Sequence, residues 1–98
     1  MLPRKKILTT LRDLREPLRK FGVSKIGLFG SYNRNEAGEF SDIDILIDFE
    51  EDKETYTNYI NSCETLENKF KNQKLDIVTL KGLSPYIGAR ILEEVEYV

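Results

Sequence analysis

Asp42 and Asp44, one residue apart, open the clearest strand in the chain, IDILIDF at 43–49. Residues two apart on a strand point to the same face, their side chains rooted about 6–7 Å apart. Two carboxylates held that way repel each other and lose solvation unless a cation lies between them. A pair of divalent ions about 3.5–4 Å apart suits such carboxylates, as in sites of phosphoryl and nucleotidyl transfer. Asp48 shares the face but lies about 13 Å further along the strand, beyond reach of the same ions. Asp76, enclosed by apolar neighbours in LDIVTL at 75–80, is the third candidate.

Gly30 and Ser31 supply the opposite half, with ten residues between Ser31 and Asp42. A glycine after a strand lets backbone approach a ligand closely, and free N–H groups in the turn that follows can cradle phosphate. Ser31 adds a hydroxyl, and Arg34 could reach the same phosphate oxygens. Taken singly, each feature is ordinary: Gly-Ser is a common turn, Asp-x-Asp a common solvated strand edge, and a lone arginine is surface. The joint spacing, with a third carboxylate on a later strand, sets the group apart.

The chain has no histidine and one cysteine, Cys63. Histidine is therefore absent from every mechanism, and a structural zinc site is excluded. Any metal must sit on oxygen ligands, which points to magnesium, manganese or calcium. Cys63 falls on an apolar helix face and reads as packing.

The elements that must position these residues follow from periodicity. Ile7, Leu11, Leu14 and Leu18 mark one helical face, with a kink or break expected near Glu16 because of Pro17. Gly22 is expected to cap that helix in the left-handed conformation. KIGLF at 25–29 reads as a buried strand entering the Gly30-Ser31 turn. In 43–49, Ile43, Ile45, Ile47 and Phe49 take one face and Asp44, Leu46 and Asp48 the other. Tyr56, Tyr59, Ile60, Cys63, Leu66 and Phe70 predict a long amphipathic helix, with both tyrosines at its core and rim. A strand over 75–80 follows, and Ser84-Pro85 opens a helix carrying Ile87, Ile91, Leu92 and Val95 to the end. The order is that of a small sheet covered by helices.

Ninety-eight residues predict a single domain, 1–98. Net charge is −2, which argues against direct binding of nucleic-acid backbones. No apolar run is long enough for a membrane span, the N-terminus lacks a secretory signal, and one cysteine fits a reducing compartment; a cytoplasmic protein is expected.

Gly-Ser, ten residues, then Asp-x-Asp resembles the signature of the nucleotidyltransferase superfamily related to DNA polymerase β. GVSKIGLFGSYNRNEAGEFSDIDILIDF and the ending ARILEEVEYV look like the minimal nucleotidyltransferases of prokaryotes, over nearly the whole chain. The resemblance implies an α/β (α+β) domain of polymerase β-like fold, with a small mixed sheet flanked by helices. It implies that Gly30 and Ser31 bind the triphosphate of ATP, and that Asp42, Asp44 and Asp76 hold two magnesium ions and carry the catalysis. Arg34 matches an arginine common after the Gly-Ser; the glycine that usually follows it is Asn35 here. Asparagine tolerates the left-handed conformation, so a small change in the loop is expected.

The resemblance also implies a partner, a HEPN-domain toxin encoded alongside, which the antitoxin inactivates by transferring AMP to a tyrosine hydroxyl. Two other readings stand beside it: a non-catalytic antitoxin that neutralises the partner by binding, through exposed residues such as Tyr86 and Tyr97, or an adenylyltransferase for a small molecule or an RNA end.

Overall fold

Helices α1 (Arg4–Asp13) and α2 (Arg15–Arg19) bury Ile7, Leu11, Leu14 and Leu18, as their spacing requires. The break falls at Leu14 instead of near Glu16. Pro17 sets it there, because its ring excludes the carbonyl four residues back, that of Asp13. The ladder resumes when Leu18 N–H donates to Leu14 O at 3.0 Å. The computed structural model describes residues 2–98.

Gly22 ends this helical arm in the left-handed conformation, φ 86°, and β1 (Val23–Phe29) begins at once. It pairs antiparallel with β2 (Ile43–Phe49), which pairs parallel with β3 (Leu75–Thr79). Parallel neighbours need a crossover, and helix α4 (Tyr56–Lys69) supplies it, opened by Thr55, whose hydroxyl accepts from Asn58 N–H at 3.1 Å. The sheet order is β3-β2-β1-β4. Strand β4 (Glu96–Tyr97) replaces the end of the helix expected there, with Val98 N–H donating to Ile26 O at 3.0 Å. A two-residue strand has no periodicity to read; the free edge of β1 creates it.

The alternation in β2 divides the interior. Ile43, Ile45, Ile47 and Phe49 face the main core, with α1, α2 and the Leu66 and Phe70 side chains. On the other face Leu46 and Phe29 meet Ile91 of α5 (Pro85–Glu94) in a much smaller buried cluster, with half-buried Val78, Leu80, Leu83 and Val95 packed against it. Ser84 caps α5 as expected, accepting from Ile87 N–H at 3.3 Å. Ile87 and Leu92, expected in the core, stand exposed because this second face is too narrow to cover them. Tyr56 is likewise 80% exposed, at the rim only, and the buried line of α4 runs through Ser62 and Leu66. Ser62 donates to Asn58 O at 2.7 Å, so its burial strands no hydroxyl. Cys63 is half-buried, as a packing residue is. Among the described residues no helix is long and apolar enough to cross a membrane.

A Cβ at Gly22 would collide with the Lys53 side chain, and the positive φ adds strain. Gly22→Ala is therefore expected to lower unfolding stability by about 1–3 kcal/mol, read as an earlier midpoint in urea denaturation.

Candidate active site

Three strands bring the site into one row. Phe29 of β1, Asp44 of β2 and Asp76 of β3 are partners across the sheet, so the residue that follows Phe29, Gly30, arrives beside Asp44. Gly30 has φ 76°, and a Cβ there would strike the Asp44 carboxylate. Only glycine lets the turn pass so near. The close approach expected of Gly30 is thus an approach to Asp44.

Gly30 starts α3 (Gly30–Asn33), a single helical turn, where Arg34 N–H donates to Gly30 O at 3.1 Å. The first amides of such a turn have no partner within it. The Ser31 hydroxyl makes no hydrogen bond among the described residues. Asn35 closes the turn at φ 60°, the left-handed geometry for which asparagine stands in place of glycine.

Arg34 directly follows the turn, and its guanidinium meets two carboxylates. Its Nη1 donates to both carboxylate oxygens of Glu94, at 2.8 and 3.1 Å, and its Nε to Glu36 Oε1 at 2.9 Å. Glu94 Oε1 also accepts from the Gly30 N–H at 3.2 Å. Burial pushes the Glu94 carboxyl up, but the Arg34 guanidinium and the Gly30 amide outweigh it and hold its pKa below the ordinary value. Sequence reasoning missed Glu94. It stands among Glu93, Glu94 and Glu96 in one short run, and nothing in the spacing marks which of them meets Gly30.

The carboxylates differ in setting. Asp44 is half-buried, and burial, the Asp76 and Asp42 charges and a hydrogen bond with Asp76 raise its pKa from 3.8 to about 6. Asp42, also half-buried, precedes β2 by one residue and contributes charge to Asp44. Asp76 is exposed, where an enclosed acid was expected; β3 is an edge strand, and its apolar neighbours point to the other side or lie under less cover. Asp48 is removed from the group and pairs with Lys81 at 3.3 Å. Among the described residues no three acidic, histidine or cysteine side chains converge tightly enough to hold a metal ion by themselves. The donor set is nonetheless all oxygen, and the strain that raises Asp44 is of the kind a divalent cation relieves.

Beyond Asp76 the edge of β3 opens into a cleft of about 830 Å³ between α4 and α5, lined by Phe29, Tyr56, Tyr59, Val78 and Ile87 among others. That is the size of a small-ligand site, largely apolar with the Asp76 and Glu54 carboxylates in its lining.

The nucleotidyltransferase domain family matches residues 5–98. The protein adenylyltransferase MntA of Thermococcus cleftensis is 44% identical over 87 residues, spanning 89% of this chain and 83% of the relative. A protein of Methanocaldococcus jannaschii assigned as a protein adenylyltransferase is 38% identical over 101 residues, 93% of this chain and 100% of its own length. Among solved structures, one assigned as a minimal nucleotidyltransferase superposes with a TM-score of 0.71 at 34% identity, over 91% of this chain and 93% of the other. A toxin–antitoxin structure with AMP-PNP shares the fold, with a TM-score of 0.66 at 24% identity over 98% of this chain and 72% of the other.

The raised pKa of Asp44 fixes a pH signature. The folded state keeps a proton that the unfolded chain has released, so this group's contribution to stability falls as pH rises from about 4 through about 6. Asp44→Asn removes that loss. In metal-free buffer the variant should melt above wild type by about 2–6 °C at pH 7.5, with the gap closing toward pH 4 in a thermal scan.

Proposed function

The chain belongs to the nucleotidyltransferase domain family, and from that premise we propose that it transfers AMP from ATP to a tyrosine hydroxyl of a HEPN-domain toxin, acting as that toxin's antitoxin. The observation that carries the chemistry is the close approach of Gly30 to Asp44, which sets the Gly30-Ser31 turn against a carboxylate row. The acceptor is argued from relatives named as protein adenylyltransferases and from the shared fold of a toxin–antitoxin complex.

In this reading the Ser31 hydroxyl and the amides of the turn take the β and γ phosphates, oriented by the short helical turn α3. Asp42, Asp44 and Asp76 would hold two magnesium ions, which when bound would offset the charge of the phosphate oxygens. Asp76, exposed on the edge strand beside the cleft, is the carboxylate nearest to an arriving acceptor and takes its proton. The acceptor oxygen bonds to the α phosphorus as the bond from that phosphorus to the bridging oxygen breaks. Pyrophosphate leaves with the electron pair, and the acceptor carries AMP as a phosphodiester. Asp44, kept between Gly30 and Asp76, ties the triphosphate side of the site to the acceptor side.

The assay uses α-labelled ATP, magnesium and a HEPN-domain partner, with wild type beside Asp42→Asn/Asp44→Asn. Label should appear on the partner with wild type and fall by at least about 100-fold in the double variant. Tight binding of the partner by both proteins, with neutralisation but no label, would replace transfer by simple occlusion.

A further inference from the structure

Glu94 is the residue at which the C-terminal helix meets the turn. We infer that Glu94 is a positioning residue for nucleotide binding: its carboxylate fixes the Gly30 peptide and anchors Arg34 at the far end of the same turn. The inference rests on the reading that the Gly30-Ser31 turn holds the triphosphate.

A four-residue helical turn cannot hold its own shape, because nucleating a helix costs more than one turn returns. This one is held from outside at each end. Gly30 N–H, its first donor, is taken by Glu94 Oε1 at 3.2 Å and so is not available to a ligand. Arg34, directly after its last residue, donates to both oxygens of the same carboxylate. Between them Asn33 Nδ2 donates to the Glu94 backbone oxygen at 2.6 Å, and Arg4 Nε of α1 donates to Asn33 O and Oδ1 at 3.0 and 3.1 Å. One residue of α5 thus meets the first and last parts of the turn. What is left facing the carboxylate row is Ser31 and the amides behind it.

Charge decides the role of Arg34. Glu94 reaches the backbone of a glycine that itself touches Asp44, so an unpaired Glu94 would add a fourth negative group to Asp42, Asp44 and Asp76. A triphosphate would make that worse. Arg34 meets Glu94 through Nη1 and Glu36 through Nε, which neutralises the carboxylate at the edge of the negative cluster. Paired with Glu94, it removes the repulsion and keeps the turn closed.

Two readouts test this in the full chain. The first is hydrogen exchange of the Gly30 amide, by NMR, in nucleotide-free protein. The second is the affinity for AMP-PNP with magnesium. Glu94→Ala should expose the Gly30 amide and weaken AMP-PNP binding by about tenfold, the loss expected for a hydrogen bond to a charged group. Glu94→Gln, which still offers an acceptor to Gly30, should keep the amide protected and recover most of the affinity. Glu94→Asp, a methylene too short, should not, and it stands in if the alanine variant fails to fold. Arg34→Ala leaves Glu94 unpaired and should weaken AMP-PNP binding as well, and the double variant should lose less than the two single losses combined. Unchanged protection of Gly30 in Glu94→Ala overturns the inference. So does equal or tighter nucleotide binding by that variant, which would make Glu94 a carboxylate that merely occupies the anion position. Fully additive losses in the double variant overturn it too, since Arg34 and Glu94 would then act independently. Failure of wild type to bind AMP-PNP would instead sink the proposed function, and the exchange readout would still decide whether Glu94 holds the turn.

Discussion

The register of three strands is the constraint on which the site depends. Phe29, Asp44 and Asp76 are lateral partners in β1, β2 and β3, and that alignment places Gly30 against one carboxylate and a second carboxylate beside it. Side chains alternate along a strand, so a slip of one residue in β2 would send Asp44 into the apolar core and Ile45 out of it. The four buried residues Ile43, Ile45, Ile47 and Phe49 forbid that slip. Core packing on one face of the sheet is thus what holds chemistry on the other.

The two faces are unequal, and the inequality has a function. The main core is deep and continuous, joining α1, α2, α4 and three strands. The second cluster is Phe29, Leu46 and Ile91 with a fringe of half-buried neighbours. A thin layer leaves little apolar burial to hold α5 down, at about 25 cal/mol per Å². The polar contacts of Glu94 and Asn33 therefore matter more there than they would over a larger core. Low local burial also leaves a cleft between α4 and α5 open to solvent.

Much of this was legible in the sequence. Period-two alternation in 43–49 named the buried and polar faces of β2 residue by residue, and the Gly30–Ser31–Asp42–Asp44 spacing named the turn and the carboxylates it meets. Gly22 and Ser84 were readable as caps because their chemistry is local. What was not legible was everything decided between distant elements. Asp76 was expected to be enclosed, since its neighbours are apolar, but β3 is an edge strand and leaves it exposed. Tyr56 and Ile87 have the helical spacing of core residues and lack a surface to pack on. Strand β4 and the Glu94 contact lie some seventy residues from the partners they find, beyond any periodic signal.

That separation orders assembly. The β1–β2 pair closes a short connection and brings Gly30 to Asp44 from nearby sequence. The contact between Gly30 and Glu94 spans 64 residues, and loop closure over such a distance must be met before the contact returns anything. The Gly30–Glu94 contact therefore carries the larger closure entropy of the two, and the turn beside the acidic row depends on it. Local release of α5 would leave the acidic row in register while stripping the turn of its Glu94 and Asn33 contacts.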